Sequence, residues 1–418
     1  MDTMESRCSS AGRLGVVTEQ WHWLANALGL ALALGGCGAE PDADGSTADP
    51  TTGAGPTTGN EAPSGGPTSA PGSSGVDPDG DSGTGPGGSG DPTTGSSSGS
   101  SLSGGPPVEC ADGFHVEDGR LYDDKCNEFI MRGINYPYVW YSWRDDTAQQ
   151  FADMASAGAN AVRVVLANGE QWDRVPGEEI TQVIEWARDH QMVAILEVHD
   201  ATGWSEQASA ADPQTAVDYW LSPDVREAID GQESFVIINI ANEPLGNTTT
   251  DQWVPFHSGA ITQLRDAGVR HTLIVDGPNW GQDWSHTMRN GAQAQQIFDA
   301  DPDANVIFSV HMYDVYGTDA VVEEYFTEFR ATGLPLIVGE FAADHGPGAP
   351  VAAEAIMSRC EAMGLGYLGW SWSGNSGELS SLDVAVDFSA GNLSAWGQML
   401  VNGPSGLLAT SQTCTCFE

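Results

Sequence analysis

The sequence predicts an α/β protein, a (β/α)8 TIM barrel preceded by a signal segment and a disordered linker. Three observations carry this. Apolar, β-branched runs alternate with helix-period segments through residues 108–418. One run, Phe-Val-Ile-Ile-Asn-Ile-Ala-Asn-Glu-Pro at Phe235–Pro244, reads as a buried parallel strand that stops at a carboxylate and a proline. Nearly every other run also ends in a polar or aromatic residue, and a barrel gathers such ends on one face.

Residues 1–37 read as a targeting segment. Arg7 and Arg13 precede a short apolar core, Leu24–Leu34, which is too short to span a membrane stably. Leu34-Gly35-Gly36-Cys37 resembles a bacterial lipobox, which implies lipidation of Cys37 and a secreted or outer-surface location. Ordinary secretion with an incidental cysteine is the blander alternative. Residues 38–107 are Gly, Ser, Thr, Pro and Asp with almost no large apolar side chain. Such a segment cannot bury enough surface to offset its ordering entropy, so it is predicted as a disordered linker.

Residues 108–418 are predicted as the barrel. Ala111–Asn127 reads as a hairpin at the barrel bottom, with a turn at Glu117-Asp118-Gly119. Strands are predicted at Phe129–Asn135, Ala161–Leu166, Met192–Val198, Phe235–Ala241, Leu273–Asp276, Val306–Val310, Leu336–Val338 and Tyr367–Trp370. Helices are predicted at Asp146–Ala157, Glu178–His190, Thr215–Asp230, Asp251–Ala267, Val321–Thr332 and Val351–Met363. No Gly-x-Gly-x-x-Gly follows an early strand, and no Walker-type phosphate loop is present.

The chain has 58 Asp and Glu against 15 Lys and Arg, a net charge of −43. That field repels phosphate backbones, so nucleic-acid binding is excluded as a function class. Cys110 and Cys126 flank the predicted hairpin and read as a disulfide. Cys360 with Cys414 or Cys416 is predicted to pin the C-terminus to a helix, and Cys414-Thr415-Cys416 is a poor zinc signature.

Glu243 ends the fourth strand and Glu340 the seventh, on opposite walls of an eight-stranded barrel. Two opposed carboxylates are the minimum equipment for cleaving a glycosidic bond. Arg163 and Tyr313 are suitable donors to hold Glu340 ionised. Burial and a like-charged neighbour then make Glu243 the protonated partner.

Together Asn242-Glu243-Pro244, Gly339-Glu340-Phe341, His311-Met312-Tyr313 and Arg163 resemble family 5 of the glycoside hydrolases. Met131–Asn135, Gly158–Gly169, Leu196–Gly203 and Gly369–Asn375 narrow the resemblance to its bacterial endo-β-1,4-mannanases. The resemblance implies a retaining endo-acting enzyme with Glu243 as acid/base and Glu340 as nucleophile. It implies that Arg163 and Tyr313 hold Glu340, that Asn242 contacts the sugar 2-hydroxyl, and that His199 contacts sugar. It further implies that His311 supports Glu243 and that Trp372 is the aromatic platform, with Trp370 as fallback. Trp280 and Trp172 are candidates at other subsites. Pro244 is shared with cellulases of the wider family, which keeps an endo-β-1,4-glucanase as the alternative. A non-catalytic carbohydrate-binding lipoprotein is a different-class alternative, which the presence of both carboxylates disfavours. The implied partner is a β-1,4-linked polysaccharide acted on by a monomer, with no cofactor or metal.

Overall fold

The structure, a computed structural model, describes residues 110–418. The segments read as signal (1–37) and linker (38–107) lie outside the described residues. The apolar runs form eight parallel strands: β3 (Arg132–Tyr136), β4 (Ala161–Leu166), β5 (Val193–Val198), β6 (Val236–Asn239), β7 (Leu273–Asp276), β8 (Val306–Met312), β9 (Leu336–Phe341) and β10 (Gly366–Gly369). They close into a barrel in the order β10-β3-β4-β5-β6-β7-β8-β9.

The alternation along each strand sorts the side chains. Val162, Leu196, Ile238, Val275, Phe308 and Val338 pack outward among the helices. Ala161, Ile195, Ile237, Ile274, Ile307, Ile337 and Leu368 pack together inside the barrel. Two residues further along, the same inner face carries Arg163, Glu197, Asn239 and Asp276, each buried. The barrel interior is therefore apolar below and polar above.

An antiparallel hairpin, β1 (His115–Glu117) and β2 (Arg120–Tyr122), precedes the barrel. Its turn residues Asp118 and Gly119 both have positive φ, 48° and 71°, as a type I′ turn requires. Phe114, Leu121 and Phe129 join the inner apolar cluster and close its lower end. The Cys110–Cys126 disulfide is formed.

Three expectations are corrected, and one helix is added that the sequence did not show. Cys414 pairs with Cys416, and Cys360 is a free buried thiol. Cys360 Sγ lies by the Gly366 carbonyl, while Cys414 Sγ contacts Asp123 in the region of the lower hairpin. The helix predicted over 215–230 is two helices, Gln214–Trp220 and Pro223–Ile229. Pro223 stands at the start of the second, where its missing N–H is tolerated, and it cannot continue the first. A helix at Ala292–Asp299 is unread in the sequence because only Ala294 and Ile297 of it are buried, too few to make a stripe. Strand β9 runs three residues past its predicted end and includes Glu340.

That last difference matters. Val310 pairs with Val338 but His311 pairs with Glu340, so Gly339 is an extra residue, a bulge. Ile337 points in and Val338 out. Without the bulge, alternation would send Glu340 outward. Gly339 is required there because a Cβ would collide with Ser309 Oγ and press on His311. Gly339→Ala is expected to destabilise the fold by about 1–3 kcal/mol, as overpacking does, read as a lower urea midpoint. An unchanged midpoint would remove the close-approach explanation.

Candidate active site

Arg163 sits on the third position of β4, 1% exposed, at the centre of the upper layer. Its Nε donates to Asn239 Oδ1 at 2.9 Å, Nη1 to Asn135 Oδ1 at 2.9 Å and Glu340 Oε1 at 2.8 Å, and Nη2 to Asn242 Oδ1 at 2.6 Å. Glu197 and Asp276 add carboxylate oxygens at 3.8 and 3.7 Å. Only a planar fork of fixed donors can serve five strands at once.

Glu340 is held from both sides. Tyr313 donates its hydroxyl to Oε2 at 3.0 Å, opposite the Arg163 bond to Oε1. Glu243 stands beyond the end of β6 with φ 38°, its N–H on Asp276 Oδ2 at 3.0 Å. Its Oε1 lies 2.7 Å from His311 Nδ1. The same Nδ1 is 3.7 Å from Glu340 Oε2. Glu243, His311 and Glu340 each present an atom within 4.8 Å of the others. A cation could be held at that spacing, but it would share Glu340 with the Arg163 guanidinium.

Burial lifts the Glu243 carboxyl well above its ordinary range, and the charges of Glu340 and Asp276 lift it further. Burial also raises Glu340, to about 7, against the pull of Arg163 and His199. The Arg163 and Tyr313 donors favour the ionised form of Glu340, whereas Glu243 has no such pair of donors and favours its proton. Burial keeps His311 neutral, with Arg163 adding to the effect. A protonated Glu243 donates to Nδ1, which puts the His311 proton on Nε2, 3.5 Å from Asp276 Oδ2. The arrangement can deliver a proton from one carboxyl while the other attacks.

The structure brings Glu243, Glu340, Arg163, Asn242, His311 and Tyr313 into one network. His199 joins it: Nδ1 is 3.0 Å from Glu197 Oε1, and Nε2 is 3.5 Å from Asn242 Nδ2. Trp280 stands on the loop after β7, Nε1 on Glu206 Oε2 at 2.9 Å. Its ring covers Gly203, whose N–H bonds the Glu243 carbonyl at 3.0 Å. Trp172 packs against His199, ring centroids 5.6 Å apart.

Trp372 does not fit the platform role. It is fully buried, with Nε1 on Gln150 Oε1 at 2.6 Å. Trp370 is also buried, at 6% exposed, but it packs on the site, its ring stacked on that of His199 at 6.0 Å and 25°. Asn135 and Asp276, both read from sequence as polar strand ends, complete the network with Glu197, Asn239 and Thr202, which were not singled out as site residues. Glu197 and Asn239 carried a signal, since each lies on the inner face of its strand. Thr202, which accepts from Asn242 Nδ2 at 2.9 Å, is on a loop and carried none.

A family model described as cellulase, glycosyl hydrolase family 5, matches residues 122–376. The chain belongs to that family. This glycoside hydrolase is 49% identical over 311 residues to a mannan endo-1,4-β-mannosidase of Cellvibrio japonicus, covering 74% of this chain and 70% of the relative. It resembles the solved β-mannanase of Thermomonospora fusca with a TM-score of 0.70 and 44% identity, covering 74% of this chain and 100% of that one. An endoglucanase of Clostridium longisporum is 22% identical over 229 residues, 44% of this chain and 43% of that protein.

Removing a donor from an ionised carboxylate raises its pKa. If Glu340 must be ionised to act, activity rises with pH through its pKa. Tyr313→Phe is therefore expected to move the acidic limb of the kcat/KM profile to higher pH. A limb that stays or moves to lower pH contradicts the hydrogen-bond assignment.

Proposed function

We propose that this hydrolase is an endo-acting, retaining β-1,4-mannanase. One observation carries the chemistry. The carboxylates of Glu243 and Glu340 present oxygens within 4.8 Å of each other, and Glu340 is clamped by Arg163 and Tyr313. Retaining enzymes separate the two carboxyl groups by about 5–5.5 Å, while inverting ones need about 6.5–9.5 Å to seat a water.

Glu340 attacks the anomeric carbon, and the glycosidic bond breaks as Glu243 gives its proton to the departing oxygen. A glycosyl-enzyme ester on Glu340 results. Glu243, now ionised, takes a proton from water, whose oxygen displaces Glu340 from the same face the leaving group left. Trp370 offers an apolar ring to the C–H face of the sugar at the cleaved bond. Asn242, its Nδ2 turned toward His199 and Thr202, recognises its 2-hydroxyl.

Mannan is favoured over glucan by the contrast in identity, 49% against 22%. Reducing-sugar release from galactomannan is expected to exceed that from carboxymethylcellulose, and the reverse order overturns the substrate. Glu243→Gln and Glu340→Gln are each expected to lower kcat by at least about 10²-fold, with activity retained in both variants overturning the mechanism.

Leu34-Gly35-Gly36-Cys37 supports a lipid anchor at Cys37 and an outer-surface location, with residues 38–107 as tether. A fatty-acid analogue is expected to label the wild-type protein and not Cys37→Ser. Label persisting in the variant contradicts the anchor.

A further inference from the structure

We propose that Trp284 is a stacking platform for a β-linked hexopyranosyl residue on the leaving-group side of the cleft, beyond the sugar joined to the cleaved oxygen. This rests on the assignment of Glu243 as the acid.

Trp284 is 46% exposed, one of the few large apolar side chains left in solvent among the described residues. A single exposed indole is unremarkable by itself. This one is fixed in place. Its Nε1 donates to Asn247 Oδ1 at 2.8 Å. Asn247 is held in turn, donating to Glu206 Oε2 at 3.3 Å, and Glu206 also takes the Thr248 N–H at 2.6 Å. The root of the loop is nailed down by the neighbouring residue. Asp283 is fully buried and accepts the backbone N–H groups of Met288 at 2.9 Å and Arg289 at 2.7 Å, and the Tyr325 hydroxyl at 3.1 Å.

With its one polar atom satisfied and its loop rigid, the indole presents apolar surface to water with little motion left to lose. Sugar rings carry C–H faces that match such a surface, and pre-ordering removes most of the entropic cost of stacking.

The side of the cleft follows from the tether. Asn247 lies four residues after Glu243 on the same loop. The loops after β6 and β7 are also joined by the Trp280 N–H on the Leu245 carbonyl at 3.1 Å. An acid that protonates the departing oxygen lies beside the departing fragment. Trp284 is therefore on the side of the sugars that leave. The sugars that stay on Glu340 lie over Trp370 and His199.

The test compares two substrates with the full chain. Mannohexaose reaches past the first leaving-group position. A 4-nitrophenyl β-mannobioside places only its aryl ring there. Trp284→Ala is expected to lower kcat/KM on mannohexaose about tenfold, the size of one good stacking contact, and to shift which bond is cut. Activity on the aryl substrate should be unchanged, which also shows that the variant folds. Trp284→Phe should recover most of the loss. Equal losses on both substrates, or no change on either, overturn the platform. A wild-type enzyme inert on mannohexaose instead counts against the mannan assignment, and the same comparison with cellohexaose then decides the platform.

Discussion

A buried guanidinium is the constraint on which this site depends. Arg163 is shut away from water inside the barrel, where an unpaired charge would be very costly. It is tolerated because β3, β6 and β9 each turn a hydrogen-bond acceptor toward it, while β5 and β7 supply nearby carboxylates. Burying ion pairs is a poor route to stability. The stability comes instead from the apolar layer below and the helix shell outside. The polar layer costs some of it and provides fixed charges where the chemistry needs them, an electrostatic field organised before substrate arrives.

The two catalytic carboxyls illustrate how environment separates identical groups. Both are buried, so both favour the proton more than a glutamate in water does. What differs is the company. Glu340 receives donors from a permanent cation and a phenol. Glu243 faces a neutral imidazole and two like charges. The pair therefore shares its protons unequally, and the unequal sharing is what makes one an acid and the other a nucleophile. His311 stands between them, with Nδ1 bonded to Glu243 at 2.7 Å and 3.7 Å from Glu340 Oε2.

Much of this was legible along the chain. The repeating strand and helix periods specify a parallel β/α sheet, and the count of eight such units points to closure as a barrel rather than an open sheet. The acidic and basic residues at strand ends specify a site, because a barrel brings those ends to one mouth. Less legible were features that depend on neighbours distant in sequence. Trp370 and Trp372 look interchangeable in Gly-Trp-Ser-Trp-Ser, yet one lies on His199 and the other beside Gln150. The pairing of Cys414 with Cys416, which leaves Cys360 alone, was equally hidden, because spacing says nothing about which sulfurs meet.

The sequence by itself determined the strand alternation, the two carboxylates and the family they belong to, since each rests on local residue order. Only the tertiary structure decided how Glu340 comes to face Glu243. Simple alternation along β9 would turn Glu340 toward the helices. The bulge at Gly339, where the lack of a Cβ permits close packing on Ser309 and His311 of the neighbouring strand β8, turns it inward. That contact is between strands, and no reading of one strand at a time contains it.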